Sequence, residues 1–113
     1  MDEFTISVAA GPAYTVVTLT GECDLNNGRW LRDVLTSEVS RGTRKMIVDL
    51  SGLSFMDSTG MQILLSSRTV LALRGGSMAL VAPQPVVARV LELTGASEII
   101  PVYASLDEAR TAD

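Results

Sequence analysis

Histidine is absent from this sequence, and cysteine and lysine each occur once among its 113 residues. Without histidine there is no Ser-His or Cys-His catalytic pair and no metal site built on imidazole. The single cysteine, Cys23, cannot form an internal disulfide, which predicts a reducing compartment. The single lysine, Lys45, begins a predicted strand that places it about 15 Å or more from Ser58, too far for a Ser-Lys pair. We therefore predict no catalytic residue, no metal ion, no cofactor and no enzymatic activity.

Aromatic residues are also few, at 4%, and the nine basic residues are scattered through a chain with a net charge of −4. This distribution argues against nucleic acid as the main partner. No apolar run approaches the roughly 18 residues that a membrane span needs, and Met1-Asp2-Glu3 does not begin a signal peptide. Gly75-Gly76 lacks the further residues of a phosphate-binding loop. These absences predict a cytoplasmic domain over residues 1–113 that does not insert into membranes.

The hydrophobic pattern predicts an α/β fold. Strands at Phe4–Val8 and Tyr14–Leu19 flank the turn residues Gly11-Pro12, which predicts an antiparallel hairpin. Strands and helices then alternate in the order β-β-α-β-α-β-α-β-α, which predicts a mixed, mostly parallel sheet. The later predicted elements are a helix ending near Gly42, a strand at Lys45–Leu50, a helix reaching Leu73, a strand at Ser77–Ala82, a helix from Pro85 to Gly95, an edge strand at Ile99–Val102 and a short helix opening at Ser105.

The segment Asp57-Ser58-Thr59-Gly60 lies between an apolar strand and an apolar helix. Unpaired N–H groups and the helix dipole make a helix start suitable for a phosphate, and equally for an ordinary cap. Thr59 and Gln62 match a capping box, and Ser58 is an alternative cap. From these residues alone, a structural role and a functional role for Ser58 both remain open.

The loops after the second and third strands are expected to meet, because parallel strands end at the same edge of a sheet. This would bring Asp24 close to Ser58. Both loops carry acidic residues and no base, so the turn does not attract a free anion. It is suited to covalent phosphorylation by another protein, which would add about −1.5 to −2 charges beside Asp24 and Asp57.

Two apolar stripes follow the turn when residues are placed at steps of about 100° along the helix. The predicted core face contains Gly60, Ile63, Leu64, Ser67, Val70 and Leu71. The second stripe contains Met61, Leu65, Arg68 and Ala72, and either packs on a neighbouring helix or forms a docking surface. On the second interpretation, Met61 and Leu65 are the expected apolar anchors for a partner.

The segments Gly21-Glu22-Cys23-Asp24-Leu25 and Ile47 to Gly60, which reads IVDLSGLSFMDSTG, resemble the STAS domain of bacterial anti-sigma factor antagonists. The resemblance covers essentially the whole chain and implies a single STAS domain. It implies that Ser58 is phosphorylated by an anti-sigma factor serine kinase and reset by a phosphatase. The unphosphorylated form would bind the anti-sigma factor and release the sigma factor. The resemblance places Asp24 beside the phosphorylation site.

Two positions differ from the usual pattern of the family, and other functions remain as alternatives. Cys23 stands where the family usually has an aliphatic residue, and Trp30 is unusually large for its position early in the first helix. We expect Trp30 to be buried, with tuning of partner choice as the alternative. STAS domains also serve as accessory subunits of membrane transport systems and as parts of signalling scaffolds, which is the second candidate function. A nucleotide-binding or hydrolytic enzyme is the third and least favoured.

Overall fold

The structure is a computed structural model that describes residues 3–112. Its elements follow the predicted alternation of strands and helices, with one additional short helix before the last strand. In chain order they are β1 (Thr5–Ala10), β2 (Thr15–Cys23), α1 (Gly28–Ser40), β3 (Lys45–Met56), α2 (Ser58–Leu73), β4 (Ser77–Val81), α3 (Pro85–Leu93), α4 (Ala96–Ile99), β5 (Val102–Tyr103) and α5 (Leu106–Thr111).

The strands form one five-stranded sheet in the order β1-β2-β3-β4-β5. β1 and β2 pair antiparallel, and every later pair is parallel. Strand β2 alternates between buried and partly buried residues, as expected for a strand with a fully covered face. The predicted α/β class, the antiparallel hairpin and the mostly parallel sheet are confirmed.

The sheet separates two hydrophobic clusters of unequal size. The larger cluster joins one face of β2, β3 and β4 to apolar residues of α1, α2, α3 and α4. The smaller one contains Ile47, Ala79, Val81 and Ala109, with Tyr14 and Tyr103 packed against it. Consecutive residues of a strand point to opposite faces, so Val48 enters the larger cluster and Ile47 the smaller. Helices α1 to α4 therefore cover one face, and α5 covers part of the other.

Two element boundaries differ from the prediction. Strand β3 continues past Leu50 to Met56, because Leu53 and Met56 are buried and their backbone pairs with the end of β2. At Gly52 a side chain would come within 2.8 Å of Thr20 Cγ2, so the absence of a Cβ allows this close pairing. Ser51 and Gly52 lie on an exposed stretch of strand, not in a loop.

The predicted strand at Ile99–Val102 is wrong in its first half. The left-handed backbone of Gly95, with φ of +80°, turns the chain into the short helix α4. Ala96, the first residue of this helix, and Ile100, which follows it directly, are both buried, and this packing favours the helix over a strand. β5 is limited to Val102–Tyr103, and it lies at the sheet edge as Pro101 predicts.

Candidate functional site

The candidate site forms where β2 and β3 end side by side. Cys23 is the register partner of Met56, the last residue of β3. Immediately beyond this pair, Asp57 N donates a hydrogen bond to Cys23 O over 3.2 Å. The parallel pairing therefore brings the loop that contains Asp24 next to the turn that contains Ser58, as the sequence predicts.

The loop between β2 and α1 is held by its own polar groups. Asn27 Oδ1 accepts a hydrogen bond from Asp24 N at 2.9 Å, and Asn27 Nδ2 donates to Glu22 O at 2.9 Å. The carboxylate of Asp24 accepts from Asn26 N at 2.9 Å. Asn27 stands at the N-cap of α1 without a capping side-chain bond, because its amide is used to close the loop instead. Asp24 is thus fixed beside the start of α2.

Helix α2 is capped by Asp57. Its Oδ1 accepts hydrogen bonds from Thr59 N at 2.9 Å and from Gly60 N at 3.3 Å. Both capping alternatives from the sequence, Thr59 and Ser58, are wrong, because Asp57 occupies the N-cap position and both residues already lie inside the helix. Ser58 occupies the first helical position and is exposed, and its hydroxyl makes no hydrogen bond within residues 3–112.

Thr59 packs on the start of α1, and Gly60 packs on the ends of β2 and β3. A Cβ on Gly60 would lie 2.9 Å from Met56 Cγ and 3.0 Å from Cys23 Sγ. A Cβ on Gly28 would lie 3.1 Å from Thr59 Cγ2. The side chain of Thr59 therefore contacts α1, and the buried Gly60 seats the first turn of α2 directly on the ends of β2 and β3.

The thiol of Cys23 lies beneath this site and responds to its charges. The pKa of Cys23 is raised to about 12, mainly by burial and to a smaller extent by the negative charges of Asp57 and Asp24. The thiol therefore stays protonated at neutral pH, in the form that is not nucleophilic. The influence of both carboxylates on one buried atom indicates that they create a shared negative potential.

Comparison with known proteins decides the family. The family model of the STAS domain matches residues 5–109. The chain belongs to the STAS-domain family of anti-sigma factor antagonists. It is 33% identical over 89 residues to an anti-sigma F factor antagonist of Paenibacillus polymyxa, covering 78% of this chain and 76% of that protein.

Solved structures agree with this membership. A crystal structure of an anti-sigma factor antagonist from Mycobacterium paratuberculosis has a TM-score of 0.89 and 30% identity, covering 97% of this chain and 93% of the other. The phosphorylated form of the Bacillus cell fate determinant SpoIIAA has a TM-score of 0.72 and 25% identity, covering 95% and 96% of the two chains.

The STAS domain places one predicted anchor in its core. Met61 is only 1% exposed and belongs to the larger hydrophobic cluster, so the prediction that it contacts a partner is wrong. Leu65 is partly buried and packs against the same cluster. Conversely, Val70 is 43% exposed although its position predicts the core face. The buried face of α2 therefore includes Met61 and excludes Val70, because the helix contacts both the sheet and α1.

Three large apolar residues near the site are exposed; the sequence patterns indicated no partner contact at Leu25 and Phe55, and one at Trp30 only as the alternative to a buried residue. Leu25, in the same loop as Asp24, is 77% exposed, and Phe55, near the end of β3, is 40% exposed. Trp30 is 45% exposed, so the expectation of a buried tryptophan is wrong. Its ring instead meets Phe4 edge-on, with ring centroids 5.5 Å apart. The alternation of β3 could have indicated that Phe55 faces away from the buried Met56.

The described part of this STAS domain shows neither a metal centre nor a membrane-spanning element. Within residues 3–112, no group of three or more histidine, cysteine, aspartate or glutamate side chains is arranged to hold a metal ion. Over the same residues, no helix is both long and apolar enough to cross a membrane.

Proposed function

We propose that residues 1–113 form a single STAS domain that acts as a phosphorylation-switched anti-sigma factor antagonist and not as an enzyme. Unphosphorylated, it binds an anti-sigma factor serine kinase in the cytoplasm and thereby releases the sigma factor. The kinase phosphorylates Ser58, and a phosphatase resets the protein. The observation that carries this proposal is the exposed Ser58 hydroxyl at the start of α2, which makes no hydrogen bond within the described residues.

The geometry around Ser58 supports a switch based on charge. A phosphate here would gain from the helix dipole, yet Asp57 already accepts from the N–H groups of Thr59 and Gly60. The phosphate therefore adds its charge beside the carboxylates of Asp57 and Asp24, and these two N–H groups are not free to stabilise it. Within residues 3–112, no ion pair neutralises either carboxylate. Phosphorylation would turn an already negative surface into a strongly negative one, without refolding.

The contact surface for the kinase is proposed to include exposed apolar groups beside the switch. Leu25 follows Asp24 directly and is 77% exposed, which makes it a better anchor than the buried Met61. Leu65, about two turns after Ser58, keeps a partly accessible side chain and stays a proposed contact. Apolar anchors next to a charge that can be added or removed would couple partner affinity to phosphorylation.

The decisive experiment incubates the purified chain with candidate anti-sigma factor kinases and ATP, followed by intact mass measurement and peptide mapping. We expect one phosphate, located on Ser58. Ser58→Ala should abolish phosphorylation while keeping partner binding, and Thr59→Ala is the matched control that should still be phosphorylated. Ser58→Asp should weaken kinase binding about tenfold, because it places a permanent charge at the contact.

Two results would contradict the proposal. A phosphate mapped to Thr59 would overturn the assignment of Ser58. Equal kinase affinity of Ser58→Asp and the unmodified protein would overturn the electrostatic switch. Selective binding to a transport protein, with no phosphorylation by any anti-sigma factor kinase, would instead support the role of an accessory subunit in membrane transport.

A further inference from the structure

A surface groove of about 340 Å³ runs between α1 and α2. Its two ends are fixed by contacts between the helices. At the N-terminal ends, Gly28 lies against Thr59 and Ile63. At the C-terminal ends, Arg74 Nη1 donates a hydrogen bond to Val39 O at 3.3 Å. The groove is therefore part of the packed fold, and its volume lies within the range of about 300–1,000 Å³ typical of small-molecule sites.

The groove combines an apolar surface with a polar and positively charged border. Val39 is buried, Ile63 is partly buried and Val70 is 43% exposed. The residues around them carry hydroxyl, amide or guanidinium groups: Arg32, Thr36, Ser40, Gln62, Ser66, Ser67 and Arg74. None of the groove residues that the structure describes is acidic, although the whole chain has a net charge of −4. This chemistry complements an elongated apolar molecule with one anionic group.

Arg32 is the better placed of the two cations for such an anion. It lies in the second turn of α1, and its only ion-pair partner among the described residues is the exposed Asp33, whereas Arg74 already donates a hydrogen bond to Val39 O. Arg32 Nη2 is 3.6 Å from Asp33 Oδ1, but both side chains are more than half exposed. Exposed pairs of this kind are weak, at about 0–1 kcal/mol, so a ligand anion can replace Asp33.

The length of the groove limits the size of its ligand. The border on α2 extends from Gln62 to Arg74, which corresponds to about 18 Å at 1.5 Å per residue. An extended chain of roughly ten carbons fits within this length. Neither Ser58 nor its capping residue Asp57 lines the groove. Ligand binding here is therefore a separate property from the proposed phosphorylation switch.

We propose that the groove between α1 and α2 binds a medium-chain fatty carboxylate, with its chain against Val39, Ile63 and Val70 and its carboxylate on Arg32. The test titrates the full chain with decanoate below its micelle-forming concentration. Binding is measured by calorimetry and by backbone amide shifts in a ¹H–¹⁵N spectrum. We expect saturable binding of one decanoate, with the largest shifts at Ser66 and Ser67.

Matched variants separate the apolar contribution from the charged one. Arg32→Gln should weaken decanoate binding about five- to tenfold. Arg29→Gln, which makes the same charge change on α1 outside the groove, should leave it unchanged. Ser66→Trp places a bulky side chain over the groove from an exposed position and should abolish binding while the fold is kept. Decanol, the neutral analogue, should bind at least about fivefold more weakly.

Several results would overturn the proposal. These are the absence of saturable binding, equal affinity for decanol and decanoate, undiminished binding by Ser66→Trp, or equal weakening by Arg29→Gln and Arg32→Gln. Because Ser66→Trp does not alter the Ser58 turn, phosphorylation of Ser58 by the kinase can be measured in the same variant. Loss of decanoate binding with intact phosphorylation would show that the two sites are independent.

Discussion

Replacing Gly60 with alanine tests how closely α2, the helix that begins at Ser58, packs on the ends of β2 and β3. The new Cβ would lie 2.9 Å from Met56 Cγ and 3.0 Å from Cys23 Sγ, closer than buried atoms tolerate. Alanine favours a helix over glycine by about 1 kcal/mol at most. Overpacking of a buried site costs about 1–3 kcal/mol, and two buried contacts place this site in the upper part of that range. We expect Gly60→Ala to lower the free energy of unfolding by about 1–2 kcal/mol.

The assay is urea denaturation followed by circular dichroism, with Gly28→Ala as the matched control. A Cβ on Gly28 would be 3.1 Å from Thr59 Cγ2 and 3.2 Å from Ile63 Cδ1, both terminal methyl groups that can move, so its cost should be smaller. The double variant Gly60→Ala/Cys23→Ala should lose about 0.5–1 kcal/mol less free energy of unfolding than the sum of the two single losses. The reason is that removal of the thiol relieves one of the two close contacts of the new Cβ. Unchanged or increased stability of Gly60→Ala, or strict additivity in the double variant, would refute this account of the packing.

Three further predictions concern the cap, the thiol and the backbone. Asp57→Ala should lower the free energy of unfolding by about 1 kcal/mol and Asp57→Asn by less, since asparagine also caps helices; urea denaturation measures both, and equal losses would contradict the cap. Because the pKa of Cys23 is raised from 9.0 to about 12, its stabilising contribution is complete below pH 9.0 and is lost as the pH rises toward 12. Alkylation of the thiol at about pH 8 should therefore be slow in the folded protein and fast in urea, and equally fast alkylation in both states would contradict the burial. Ala82→Gly should raise the free energy of unfolding by about 0.5 kcal/mol, because Ala82 has a left-handed φ of 54° and glycine removes that strain; a loss of stability in urea would show that the strain is negligible.

Much of the fold follows from sequence periodicity, and the exceptions have physical causes. The hairpin, the order of strands and the edge position of β5 follow from local sequence patterns, and the structure contains all three. The end of β3 does not, because Ser51 and Gly52 have low strand propensity by themselves. They extend only because the neighbouring β2 supplies hydrogen bonds and the buried Leu53 and Met56 supply packing. Contacts with a neighbouring strand are not contained in a local pattern.

The site shows the same division between local and tertiary information. Topology alone predicts that Asp24 approaches Ser58, because neighbouring parallel strands end together. The identity of the cap is not determined by pattern, since Asp57, Ser58 and Thr59 are all good capping residues in consecutive positions. The burial of Met61 is not determined either, because an apolar helix carries two stripes and only its placement between sheet and α1 decides which is covered.

The strands lie side by side in the sheet in the same order as they occur along the chain. Each new strand pairs with the one before it, so no strand has to wait for a later segment to be inserted between existing neighbours. During synthesis, the hairpin of β1 and β2 can form first, and β3 can dock on it as soon as α1 has crossed over. On this route, the turn that contains Ser58 can form before the last two strands are synthesised. Sequential pairing also shortens the loops that must close during folding, which lowers the entropy cost of forming each parallel strand pair.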